Sequence, residues 1–291
     1  MIKTPCAGIH LSGPNSSKTA LVVLRPSRGP SANDETTGLE LVRVYEKIGS
    51  FGNLFSDDRL FGILTREGPF QSVFVDCPLT VPPCVDCARP SCPGVVRCDD
   101  VGVAWMMAVA ARQGTAKQRK RKKMNPQGHR LWDVFQTSVA GVTNQEPTWS
   151  SNHAPLVVRA RTLQRRLNSV DQMKLEETHV PCVVDLLARQ LRIDAGPTRA
   201  SVAYRSFENG RQFRREVVGL MVRAGLVADN SHPDLSSGIL SGSVEVFHAF
   251  VTAWVAGMFA TGKTVRPADG FVDAGGGWVH LPEIGDLPNI P

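Results

Sequence analysis

The densest chemistry in the sequence lies in a proline-rich stretch where Cys84, Cys87, Cys92 and Cys98 follow one another as C-x2-C-x4-C-x5-C, with Cys77 seven residues before the first. Four closely spaced thiols suit a tetrahedral thiolate site, and the softness of sulfur selects zinc or an iron–sulfur cluster over a hard cation. The spacing is not that of two C-x-x-C pairs, so unligated thiols in an insertion loop stand as the alternative. Cys6 and Cys182 lie far from this stretch and read as core residues.

Phosphate chemistry is the second possibility. Gly257-Met-Phe-Ala-Thr-Gly262-Lys263-Thr264 fits the pattern G-x4-G-K-[ST], whose backbone amides cradle phosphates. That use requires a strand before the glycines and a helix after them, so that free N–H groups of a helix N-terminus meet the anion. Here the pattern ends an apolar helical segment. The expectation is a glycine C-cap with Lys263 beside the negative end of the helix. Gly13-Pro-Asn-Ser-Ser-Lys18-Thr19 is one residue short of the pattern and runs into ALVVL, so it is expected to be a hairpin turn. The glycines at 275–277 read as a bend.

The elements that would position these groups follow from periodicity. AGIHLSG, TALVVLRP and LELVRVYEKIG are apolar runs bounded by turn residues, which predicts an antiparallel meander. SDDRLFGILTRE offers Ser56 as an N-cap ahead of a helix, and QSVFVDCPL reads as a strand buried on both faces. VGVAWMMAVAA, PLVVRARTLQRRLNSV, FRREVVGLMVRAGLV and VEVFHAFVTAWVAGMFA show helical spacing, KLEETH predicts a short strand, and FVDAGGGWVHLP a closing hairpin. Strands first, then alternating elements, then helices describe an α/β domain with a mixed sheet.

The bulk numbers set the outer bounds. A chain of 291 residues with 42% hydrophobic content can bury a sizeable core. No stretch is long and apolar enough for a membrane span, and the N-terminus lacks a signal-peptide pattern, so the expected location is cytoplasmic with its thiols reduced. The formal charge of +6 favours an anionic partner. KQRKRKK, residues 117–123, carries six positive charges in seven residues and would attract phosphate without reading bases. Arg205, Arg211, Arg214 and Arg215 form a second cluster that either grips phosphates or faces water.

AGIHLSGPNSSKTALVVL, VFVDCPLTVP, the Cys-rich loop, HRLWD from His129, EETHVP from Glu176, YRSFENGRQFRR from Tyr204, VFHAFVTAWVAG from Val246 and GGGWVHLPEIG from Gly275 occur in an order that resembles a known family along the whole chain. It is the family called domain of unknown function 429, predicted nucleases with a ribonuclease H-like fold. The resemblance implies a single domain over 1–291, a ribonuclease H-like mixed sheet flanked by helices, with a Cys-rich loop at 77–98 and a basic loop at 112–129 as insertions. It also implies a carboxylate on the first strand, one at the end of the central strand and one on a late helix. Asp76 matches the central position, but His10 and His248 stand at the other two.

That exchange has a chemical consequence. Two-magnesium phosphodiester hydrolysis needs hard oxygen ligands, whereas imidazole suits Zn, Mn, Fe, Ni or Cu. His10, Asp76 and His248 would form a two-histidine, one-carboxylate set with open positions, and Glu177 is a fourth candidate as base or ligand. Glu245 lies one helical turn before His248 and either orients it or is solvated. The expected function is a metal-dependent nuclease-like phosphodiesterase. The alternative is a catalytically altered nucleic-acid- or protein-binding module carrying a Cys-bound metal.

Overall fold

The computed structural model describes residues 4–13, 16–27, 38–52, 54–112, 125–138, 150, 153–170, 173–195, 200–206, 209–228, 238–265 and 277–283. In chain order the elements are β1 (Cys6–His10), β2 (Ala20–Pro26), β3 (Leu39–Tyr45), α1 (Ser56–Glu67), β4 (Ser72–Val75), α2 (Val101–Arg112), α3 (Leu131–Ser138), α4 (Ala154–Val170), β5 (Leu175–Thr178), α5 (Val180–Gln190), α6 (Ala200–Ala203), α7 (Gly210–Arg223), α8 (Ile239–Gly242), α9 (Val244–Ala260) and β6 (Val279–His280). The protein is α/β, with one mixed sheet in the order β3-β2-β1-β4-β5-β6. The chain divides into two compact units, one of residues 1–77, 159–265 and 280–291, the other of 78–158 and 266–279. The basic run 117–123 and the glycines at 275 and 276 lie outside the described residues.

In the first unit β1, β2 and β3 form the expected antiparallel meander, with His10 opposite Ala20 at the turn and a register shift between Val23 and Leu24. β1 and β4 run parallel, as do β4 and β5. Parallel strands need crossovers and are covered on both faces, which is why SVFV has no polar alternation and is buried throughout. The described residues flanking GPNSSKT close the antiparallel β1–β2 connection, as its short form predicts. Ser16 N–H donates to Gly13 O at 2.9 Å, and Ser12 and Thr19 hydroxyls meet at 3.1 Å.

α9 is apolar on every side because it is buried on every side, from Val246 through Met258. Its start is set by Ser243, whose hydroxyl accepts from Val246 N–H at 3.3 Å. Its end is the G-x4-G-K-T segment. Gly262 has φ +74°, Gly262 N–H donates to Phe259 O at 2.9 Å, and Lys263 N–H donates to Met258 O at 2.8 Å. This is a left-handed glycine cap that consumes helix carbonyls. α9 crosses β1 at Gly8, where a Cβ would lie 2.0 Å from Ala253 N and 2.3 Å from Ala249 O.

α1 begins differently from its sequence signal. The N-cap position is Phe55, with no side-chain cap. Ser56 and Asp57 instead receive the buried guanidinium of Arg159, which bonds both and also donates to Ser12 O. Tertiary charge pairing thus replaces the local cap. The second unit has a small core of Met106, Leu131 and Val134, with Trp105, Val109 and Trp278 against it. Arg130 and Asp133 form a buried ion pair there at 3.2 Å, and Arg130 also reaches the Thr80 hydroxyl.

Gly8→Ala should destabilise the fold on the order of 3 kcal/mol, because the added methyl meets backbone that cannot rotate away. Urea unfolding checks this, with Gly62→Ala as a comparison that should hold or slightly raise stability, since it sits in α1 with nothing within 4 Å of the new Cβ.

Candidate metal centre

Three residues from distant sequence positions converge at the carboxyl ends of β1 and β4. His10 is the last residue of β1, and Asp76 N–H donates to Ile9 O at 3.1 Å, which carries the β1/β4 ladder one residue beyond Val75. Strand side chains alternate between faces. Gly8 faces α9, so His10 does as well; Phe74 stacks on Phe259 of α9 at 5.4 Å, so Asp76 shares that face. His248, on the second turn of α9, closes the set. One ligand atom from each of His10, Asp76 and His248 lies within 4.8 Å of the others.

Asp76 organises the contacts. Its Oδ1 accepts from Val180 N–H, the first residue of α5, at 3.0 Å. Its Oδ2 takes a very short hydrogen bond with His248 Nδ1 and lies 3.8 Å from His10 Nδ1. The last distance exceeds a hydrogen bond. His10 Nδ1 is buried and has no hydrogen-bond partner, a costly state for an imidazole nitrogen. The two imidazoles meet edge to face, with centroids 4.9 Å apart.

Behind His248 runs a polar chain that no spacing in the sequence announces. Tyr204 Oη is 2.8 Å from His248 Nε2, and Arg205 Nε donates to the same oxygen at 2.8 Å. Arginine only donates, so the tyrosine oxygen accepts from it and directs its own proton to His248 Nε2. Hydrogen-bond logic therefore assigns the proton of neutral His248 to Nδ1, where it is given to Asp76.

The electrostatics agree. Burial by itself raises the Asp76 carboxyl, but His248 and His10 outweigh it and hold the group below its ordinary value. Burial lowers His248, against the pull of Asp76. Burial likewise raises the Tyr204 hydroxyl, so it stays protonated. The site at rest is an ionised carboxylate facing two imidazoles.

Other candidates lie elsewhere. Among the described residues, His10, Asp76 and His248 are the only three or more His, Cys, Asp or Glu side chains with ligand atoms that close. Glu177 is buried, but it pairs with Val75 in the β4/β5 register, and alternation sends it to the face opposite Asp76. Its carboxylate is not among the ligand atoms that converge with Asp76. Glu245 accepts from Ser243 Oγ at 2.6 Å and lies 3.5 Å from Lys18 Nζ, so it serves the helix start and not the imidazole. Cys77 is buried, Cys84 and Cys98 are half-buried, and Cys87 and Cys92 are exposed. Burial raises the Cys84 thiol and the nearby Cys98, Cys92 and Cys87 add to the shift, yet the four sulfurs do not gather as closely as the histidine set.

The arginine cluster after Tyr204 separates into different roles. Arg214 is buried and donates to Ser241 O at 2.8 Å, Tyr204 O at 2.5 Å and Gly242 O at 3.4 Å, so it ties α7 to α8. Arg205, Arg211 and Arg215 are exposed. No spacing in the sequence pointed to Tyr204, since 44 residues separate it from His248. The chain matches no family model, no curated protein and no solved structure.

His248→Leu should cost about 3 kcal/mol, because it leaves the buried Asp76 carboxylate without its closest partner. Adding Asp76→Asn to the same chain should recover part of that loss; denaturant unfolding of both variants measures the difference.

Proposed function

We propose that the protein is a metal-dependent phosphodiester hydrolase of nuclease type, with His10, Asp76 and His248 holding a divalent transition metal. The observation that carries this reading is the buried, unpartnered His10 Nδ1 aimed at the carboxylate oxygen that His248 already contacts. An orphaned imidazole nitrogen beside an anion is the arrangement a cation would complete. Two nitrogens and one carboxylate fit zinc, manganese, iron or cobalt and do not fit magnesium. The resemblance to the family of predicted nucleases with a ribonuclease H-like fold supplies the substrate class, and it places the same three positions at the centre. A reducing, cytoplasmic setting belongs to the same reading.

When bound, such a metal supplies Lewis acidity toward a phosphoryl oxygen and an acidified water. The chain's own residues do the rest. Asp76 brings the negative charge, and the amide of Val180 fixes its second oxygen. Tyr204 and Arg205 hold the outer edge of the His248 ring, so its Nδ1 edge stays turned to Asp76. For Nδ1 to act as a donor atom the His248 proton moves to Nε2, where the Tyr204 oxygen can accept it. The exposed guanidinium of Arg205 lies beside this chain and is available to a substrate phosphate. The competing reading is a binding module that has lost hydrolysis.

Elemental analysis of protein purified without added metal should find one transition-metal ion per chain; a second ion would assign the cysteine loop a metal as well. With manganese, cobalt or zinc the protein should cleave bis(p-nitrophenyl) phosphate, with magnesium it should not, and His10→Ala or Asp76→Asn should lower the rate at least ~100-fold. Cleavage with magnesium that appears only after His10→Asp and His248→Asp are introduced together would establish the binding module instead. Tyr204→Phe should weaken cobalt affinity about tenfold in a competition titration.

A further inference from the structure

The segment joining β3 to α1 presents its apolar side chains to water. Phe51 is 76% exposed, Phe55 74% and Leu54 54%. These are not residues of a frayed loop. Phe51 N–H donates to Leu54 O at 3.0 Å and Leu54 N–H to Phe51 O at 3.1 Å, with Gly52 at φ +58° taking the turn. Arg59 stands over the Phe51 ring, 5.8 Å from its centroid, and donates to Gly49 O at 2.6 Å. Large aromatic surface turned to water marks a binding site more often than an accident.

The topology puts this tip at the same edge of the sheet as the metal centre. β3 ends with Tyr45 opposite Leu21, next to the His10–Ala20 pair. Gly49 then packs on Ser17 of the β1–β2 turn, and a Cβ there would lie 2.8 Å from the serine Cβ. Arg159 joins Ser56, the residue after Phe55, to Ser12, two residues after His10. β3 and β1 are two strand spacings apart, about 10 Å.

The charges around the tip are positive in balance. Asp57 is taken by Arg159, and Asp58 by Arg166 at 2.7 Å. Arg59 has no carboxylate at ion-pair distance among the described residues, whereas Lys18 is matched by Glu245 at 3.5 Å, so Arg59 carries the balance. Aromatic faces flanked by arginine are what unpaired bases and their phosphates bind. A duplex offers no base faces to such rings.

We infer that Phe51 and Phe55, with Arg59, form a base-stacking platform that holds single-stranded nucleic acid against the metal centre. The inference rests on the phosphodiesterase reading for its substrate and makes it specific: the strand is single, and its bases lie on the two rings at the β-strand ends where the metal centre stands.

The test is fluorescence anisotropy with a labelled 12-nucleotide oligo-dT, the RNA of the same length and the matching duplex, with metal chelated so that nothing is cut. Phe51→Ser with Phe55→Ser should weaken single-strand binding about tenfold or more and leave the salt dependence unchanged, since stacking releases no counterions. Arg59→Gln should lower both affinity and salt slope, and Val96→Ser, at another exposed apolar residue, should change neither. Equal binding by the double phenylalanine variant, or preference for the duplex, overturns the inference. So does finding that the rings instead drive self-association or binding to anionic vesicles. Cleavage of bis(p-nitrophenyl) phosphate needs no stacking and should survive in the double variant. A wild-type chain that takes up no metal sinks the functional reading alone, whereas metal uptake with ring-independent binding sinks only this one.

Discussion

The architecture of the site depends on how closely α9 approaches β1. At Gly8 helix backbone occupies the place of a side chain, so the helix axis lies nearer the sheet than any residue with a Cβ would permit. Closeness alone would not fix which helix residue faces the carboxylate. The Ser243 cap sets where the helix begins, the Gly262 cap sets where it ends, and buried apolar residues between them leave no freedom to rotate. His248 and, one turn later, Thr252 are the polar residues on that buried face, and His248 falls where the parallel pair of β1 and β4 ends.

Placing an ionised carboxylate in such a setting is unfavourable unless its oxygens are met. Asp76 solves this with one backbone amide and two imidazoles. The solution is incomplete, because His10 Nδ1 remains without a hydrogen bond while His248 is braced from behind by Tyr204 and Arg205. One histidine is thus rigidly held and the other is held only by its strand. The asymmetry leaves one imidazole nitrogen of the cluster without a hydrogen bond beside a carboxylate.

Buried arginines elsewhere illustrate why charge counts from sequence say little about binding. Arg159 and Arg214 are strongly basic residues that face inward, the first closing the start of α1 and the second satisfying carbonyls around α8. Among the described residues, the cations near the site are Arg59 and Arg205, without a carboxylate at ion-pair distance, while Lys18 is shared with Glu245. Their value lies in position beside the aromatic tip and the carboxylate, since summed charge attracts but does not orient.

The linear sequence was enough to define the elements that depend on local rules. The three-strand meander follows from apolar runs and turn residues, β4 from an unbroken apolar stretch, and the glycine cap of α9 from the absence of a following helix. His10, Asp76 and His248 were legible as a set because a family-like order of motifs pointed to them. Tertiary structure alone decided the rest. Glu177 lies outside the converging set, since alternation along β5 turns it to the face opposite Asp76. Ser56 lost its cap role to a guanidinium 103 residues away, and Tyr204 gained its role through a contact across 44 residues. Hydrogen bonds and ion pairs act through space, and spacing along the chain carries no record of them until packing has brought the partners together.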